Sequence, residues 1–272
     1  MLDNLTGLIA LSPDGLTRQN MLLRTVCARA LGLEPLPSEE TSEPSSGTEP
    51  MLAAVAEQFS TDVTGVSVQQ RGALVAAFGA EVLSVASLMF VADFVPRVRA
   101  GLGALGVEFA DPDGWDDATH PADALLNRFT GAVGALRGLD PLITELIRLR
   151  GAVQHNCRLC RSLRESTALE AGGSESLYAD IEAYQSSARL TEAHKAALGY
   201  VDALIWTPAA VGGAAAAVLE HFSAEQAVEI TLDVMRNATN KIAVALGGDE
   251  PRVAEGTELY RLGDDGVPVF SS

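Results

Sequence analysis

The chain has 272 residues, 47% of them hydrophobic, which is enough apolar material for a sizeable core in one large or two modest domains. Its 36 acidic residues against 19 basic ones give a formal charge of -17, a field that repels nucleic-acid phosphates and anionic headgroups, so neither nucleic acid nor a membrane is an expected partner. Met1-Leu2-Asp3-Asn4 carries no basic residue and the apolar run after it meets Pro13, so neither signal peptide nor anchor is expected; three cysteines fit thiol chemistry in a reducing cytoplasm better than a disulfide-stapled secreted scaffold.

Long Ala- and Leu-rich stretches with apolar residues three and four apart predict an all-α, multi-helix bundle. The first 34 residues form a helical segment, with a helix near Thr17 to Leu31 whose Cys27 reads as core or interface. Residues 35–50, rich in Pro, Ser, Glu and Thr, have almost no apolar surface to offset ordering and predict a flexible linker. Residues 51–110 make a first helical half. The turn Asp111-Pro112-Asp113-Gly114 precedes a second, covering 111–248. In the tail, 249–272, Thr257 to Leu262 and Val267 to Phe270 flank a Gly-Asp-Asp-Gly turn that can close a small hairpin.

The two halves repeat at a spacing of 144 residues: Phe78-Gly79-Ala80-Glu81 lies over Phe222-Ser223-Ala224-Glu225, Arg97 over Lys241, and Leu102-Gly103 over Leu246-Gly247. At that spacing Pro13 and Leu16 stand opposite Cys157 and Cys160, so only the second half carries the cysteine pair.

Around the pair, Asn156 predicts an N-cap, and Cys157 and Cys160 are expected in the first turns of the following helix. Residues at i and i+3 share a helix face, within reach of a disulfide, and the helix N-terminus with Arg158, Arg161 and Arg164 favours a thiolate. Cys157, nearer the helix start, is expected to be the more accessible and Cys160 the deeper. The rival readings are two buried small hydrophobes, or zinc, for which a second ligand pair is missing. Twelve residues before Cys157 stands Glu145. Gly151 and Gln154-His155-Asn156 offer a place for its helix to end and the chain to turn back toward the carboxylate; the alternative is a solvated face on which Glu145 pairs with Arg148.

Glu145, eleven intervening residues, Cys157, two more and Cys160 resemble the core pattern of the alkylhydroperoxidase D-like proteins of the carboxymuconolactone decarboxylase superfamily. The resemblance runs over about residues 140 to 248, through Leu149-Arg150, Thr191 to Trp206 and Asn237 to Gly247, with a weaker echo at 51 to 104. It implies a helical fold assembling into trimers or hexamers and a thiol-dependent hydroperoxide reductase without cofactor or metal, served by a thiol or dithiol reductant. By position, Cys160 would be peroxidatic, Cys157 resolving and Glu145 the proton partner. The family's usual histidine four residues after the second cysteine is here Arg164, expected one helical turn beyond Cys160. A guanidinium can stabilise a thiolate but cannot shuttle a proton, which leaves His155 as a substitute. The alternative is a non-redox member of the superfamily, a lactone decarboxylase or an assembly module.

Overall fold

The computed structural model describes residues 2–38 and 47–270; of the expected linker, residues 39–46 lie outside the described residues. The fold is all-α apart from a small three-stranded sheet. In chain order the helices are α1 (Leu2–Ala10), α2 (Thr17–Leu31), α3 (Glu49–Thr61), α4 (Val68–Phe78) and α5 (Val82–Ala104). A short α6 (Pro121–Asp123) runs through a π-helical stretch into α7 (Thr130–Gly134), followed by α8 (Pro141–Gln154) and α9 (Arg158–Arg161). Strand β1 (Leu163–Glu165) precedes α10 (Ser166–Glu170) and α11 (Glu175–Ala179). Helices α12 (Glu192–Trp206), α13 (Gly212–Leu219), α14 (Ala224–Ala238) and α15 (Asn240–Leu246) come next, and the chain ends in β2 (Glu258–Leu262) and β3 (Pro268–Phe270).

The same element order occurs twice. Helix α3, a 3-10 turn at 63–65, α4 and α5 are matched 144 residues on by α12, a 3-10 turn at 208–210, α13 and the α14–α15 pair. Ser67 with Gln70, and Ser223 with Gln226, close capping boxes at the starts of α4 and α14. The spacing does not hold upstream of α3. There α2, which packs on α3 and α5, corresponds to α8, which packs on α12 and α14, so Pro13 and Leu16 are not the counterparts of the cysteines. Both helices end in the same cap. The N–H groups of Gly32 and Leu33 bond the carbonyls of Arg29 and Ala28, and those of Asn156 and Cys157 bond Val153 and Ala152, with Gly32 and Asn156 left-handed at φ 64° and 49°. The counterpart of Cys157 is therefore Leu33. Between the cap and the next matched helix the chain is longer in the second half, and this extra length holds the cysteines.

One hydrophobic core unites both halves. Helix α5 runs through it with Val85, Phe90, Phe94, Val98 and Leu102 buried, so its apolar length is spent on protein contacts. A smaller cluster, including Leu146, Tyr178, Ile181 and Leu198, seals the extra segment onto α8 and α12. Among these apolar groups sits a closed polar knot. Asp93 of α5 accepts from Arg97 at 2.7 and 3.1 Å and from Lys241 of α15, while Arg97 also donates to the carbonyls of Ser60, Leu204 and Ile205. Arg97 and Lys241 are the pair aligned by the repeat, and the knot ties α3, α5, α12 and α15 together.

The tail hairpin forms as expected, with Tyr260 opposite Phe270 and Leu262 opposite Pro268. Its inner strand also pairs in parallel with β1, setting Glu165 beside Tyr260; three residues were too short for β1 to show a pattern.

Removing one partner from a buried ionic knot strands the others. Asp93→Ala, which leaves two buried cations, is expected to lose about 3–5 kcal/mol of stability in urea unfolding. A loss below about 1 kcal/mol would mean that the knot contributes no more than a surface pair.

Candidate active site

The site is built around the end of α8. Its cap turns the chain by way of Asn156, one of the few residue types that tolerate a left-handed backbone. Asn156 is therefore not the N-cap of the next helix. Cys157 takes that place, its Sγ accepting the N–H of Cys160 at 3.2 Å. Helix α9 is a single turn, ending at Arg161 before the chain extends into β1, so the expected longer helix carrying both cysteines and Arg164 on one face does not form. Asp249, beyond α15, closes the turn from outside: its carboxylate takes the N–H and guanidinium of Arg158, and its carbonyl takes the N–H of Leu159.

Cys157 and Cys160 are joined as a disulfide with Cα atoms 5.3 Å apart. Cys157 is wholly buried, whereas Cys160 is half-buried and faces a cavity. The expected order of accessibility is thus reversed: the Schellman cap drives Cys157, at C″, down against α8, and the next turn swings Cys160 outward.

The helix of Glu145 does end at Gln154, bringing the chain back toward it. Glu145 is buried and pairs with Arg148, so the i+3 contact exists, but in the interior and not on a solvated face. Arg148 donates to both oxygens of Glu145 at 2.6 and 2.7 Å, and to the carbonyls of Cys160 and Leu163, each at 2.7 Å. The N–H of Glu165 reaches the same carboxylate at 3.3 Å, and the Tyr260 ring lies 5.6 Å from the guanidinium. Burial opposes the charge on Arg148, but the carboxylate beside it raises the pKa above the ordinary arginine value.

The other two expected residues stand apart. Arg164 lies in β1, forked onto Glu175 at 2.7 and 2.8 Å and 5.4 Å from the Tyr178 ring, and does not line the cavity of Cys160. His155 caps α8 from inside. Its Nδ1 lies 2.8 Å from Asn240 Oδ1, its Nε2 has no partner among the described residues, and burial, reinforced by Lys241, lowers its pKa to about 3. A ring so held stays neutral near pH 7 and touches the cavity only through Asn240.

The cavity in front of Cys160 measures about 620 Å³, within the range of roughly 300–1,000 Å³ typical of small-molecule sites. Its walls are mainly apolar, from α15, the π-helical stretch and the tail hairpin, while Arg148, Arg236, Asn237 and Asn240 supply polar groups. A smaller pocket adjoins it, with Glu145, Asp233 and Glu165 in its lining, and the two share Arg148, Arg236 and Tyr260 as a wall. Burial and the nearby Glu229 raise the Asp233 carboxyl to about 6, against the pull of Arg236. Arg236 and Tyr260 escaped sequence reasoning because only the fold brings α14 and the tail to this point. Arg148 was visible only as a partner for Glu145.

The low pKa of His155 has a thermodynamic consequence. Between about pH 3 and 6.5 the unfolded chain protonates this ring while the folded one resists, so its contribution to stability falls as pH is lowered, by about 1.4 kcal/mol per pH unit at most. His155→Gln, which retains a donor for Asn240, should show a correspondingly smaller loss of stability between pH 7 and 4.5 in denaturant titrations. An unchanged pH slope would overturn the burial account.

No protein-family model matches the chain, and no solved structure matches it. It is 52% identical to each of two Mycobacterium tuberculosis proteins over an alignment of 277 residues, covering 98% of this chain and 97% of the relative: "Uncharacterized protein MT2376" of strain CDC 1551 / Oshkosh and "Uncharacterized protein Rv2313c" of strain ATCC 25618 / H37Rv. Identity of that extent spans both halves, the cysteine segment and the tail, and the chain belongs to the same family as these mycobacterial proteins.

Proposed function

We propose that the protein is a thiol-dependent hydroperoxide reductase related to the alkylhydroperoxidase D-like proteins, working as a homo-oligomer in a reducing cytoplasm. The observation that carries the reading is the asymmetry of the disulfide: one sulfur, Cys160, faces a substrate-sized cavity and the other, Cys157, is sealed behind it. A two-cysteine peroxidase needs one sulfur that meets the peroxide and a second that meets only the first.

In the reduced protein, Cys160 ionises and its thiolate attacks the terminal oxygen of the hydroperoxide. The S–O bond forms, the O–O bond breaks, and the alkoxide leaves, acquiring the proton that Cys160 released, through water. Cys157 then attacks the sulfenic sulfur: the S–S bond forms and the hydroxide leaves with the Cys157 proton as water. Two electrons pass from the cysteines to the peroxide, and a dithiol reductant returns them by attacking the accessible Cys160 sulfur. The Arg148 and Arg236 guanidiniums at the cavity wall favour the thiolate. Glu145, committed to Arg148 and lining only the adjoining pocket, acts here as a positioning residue that fixes the guanidinium on the Cys160 carbonyl, in place of the proton-partner role the resemblance implies.

Alkylation of the reduced protein is expected to label Cys160 well before Cys157. Cys160→Ser should abolish cumene hydroperoxide consumption, and Cys157→Ser should retain a single stoichiometric turnover. Arg164→Ala should stay within about threefold of the parent rate, as expected for a residue that makes no contact with the reacting atoms. Peroxide-insensitive thiols, or full turnover in Cys160→Ser, would overturn the reading.

A further inference from the structure

The cavity in front of Cys160 has a polar end whose hydrogen-bonding capacity is not used up. Arg236 is only 9% exposed, and among the described residues its one partner is Asp233, with Nη1 3.3 Å from Oδ1. Its other donors have no acceptor there, unlike those of Arg148, which are taken by Glu145, Cys160 and Leu163. Four residues on, across the break between α14 and α15, Asn240 has its Oδ1 bound to His155, and its amide N–H groups have no acceptor among the described residues. Both side chains line the cavity. Donors left free at a cavity wall can be taken by a ligand that supplies acceptors.

The rest of the cavity is mainly apolar. Leu126, Ile242, Ala243, Leu246 and Phe270 line it together with the exposed Leu83 and Val267. An occupant must therefore have a flat anionic head and an apolar body. A carboxylate matches one guanidinium fork with two parallel hydrogen bonds. A phosphate dianion would need a second uncommitted cation, and Arg148 is already committed to Glu145.

We propose that this cavity is a binding site for an aliphatic monocarboxylate, its head bonded to Arg236 and Asn240 and its chain lying along α15 and the tail hairpin. The site shares the cavity of Cys160, but none of these contacts uses a sulfur atom, so binding does not depend on the thiols. The head-binding side chains and Cys160 line the same cavity, so a bound acid shields that cysteine.

The test uses the full chain with dansyl-labelled undecanoate and the corresponding uncharged carboxamide, followed by fluorescence. The acid should bind saturably, and the carboxamide about tenfold or more weakly, as expected for loss of a charge-assisted pair. Arg236→Gln should weaken the acid much more than the carboxamide and so abolish the difference between them. Ala243→Phe, which fills the cavity, should weaken both. Binding should persist in Cys157→Ser/Cys160→Ser, so failure of the peroxidase reading leaves this one standing. Saturating undecanoate should slow iodoacetamide labelling of reduced Cys160. Equal affinity for acid and carboxamide, no saturable binding, or full binding in Ala243→Phe overturns the proposal. If Arg236→Gln fails to fold, the ligand pair and Ala243→Phe decide it.

Discussion

The arrangement at the cysteines depends on one guanidinium. Arg148 stands on α8, the most regular element nearby, and reaches over the chain reversal to the carbonyls of Cys160 and Leu163, the two ends of the segment joining the single-turn helix to β1. That segment is too short to hold itself, since a single helical turn makes few hydrogen bonds of its own. A planar fork with five donors can bind a carboxylate and two carbonyls together, which the compact ammonium of a lysine cannot do in this geometry. Glu145 keeps the fork in plane, and its charge makes the burial of Arg148 tolerable.

The first half uses the same device without the chemistry. On α2, Arg24 occupies the place that Arg148 has on α8, and it too is buried and bound to carbonyls beyond its own helix, those of Ile9, Leu11 and Pro37. The position of Glu145, three residues before the arginine, holds Met21 there. With no carboxylate to compensate, burial lowers the pKa of Arg24 to about 10. A buried arginine clamping the chain after a Schellman cap is thus common to both halves, whereas the acid and the two cysteines belong to the second.

Much of this could be read from the chain. Helical periodicity, the tail hairpin and the repeat over α3 to α5 follow from local patterns, and the turn after Gln154 follows from a helix pattern that ends in Asn. Local patterns fail where one residue's conformation redirects the chain beyond it. Treating Asn156 as an N-cap puts both cysteines and Arg164 on one helix face; treating it as a left-handed C′ residue buries Cys157, turns Cys160 out and sends Arg164 into a strand toward Glu175. Asn suits both positions, and only the bonds from Asn156 and Cys157 back to Val153 and Ala152 decide between them. Arg236 and Tyr260 were harder still, because they reach the site through contacts far apart in sequence, which no local pattern records.

The distribution of charge across the molecule explains why the interior tolerates so many ions. Among the described residues six basic side chains are buried, Arg24, Arg97, Arg148, Arg164, Arg236 and Lys241, together with six carboxylates, Asp93, Glu145, Glu165, Glu229, Asp233 and Asp249. The interior is therefore close to neutral, and the formal charge of -17 resides on the surface, where water and salt screen it. Inside, the balance is local as well as global. Asp93 answers Arg97 and Lys241, and Glu145 answers Arg148, in each case with short bonds. Two guanidiniums depart from this: Arg24 has no carboxylate partner among the described residues, and Arg236 meets Asp233 through one longer contact, while burial and Glu229 raise the Asp233 carboxyl to about 6. One of these two, Arg236, lines the same cavity as the accessible cysteine, so a ligand that enters the cavity of that sulfur also meets guanidinium donors that Asp233 leaves free.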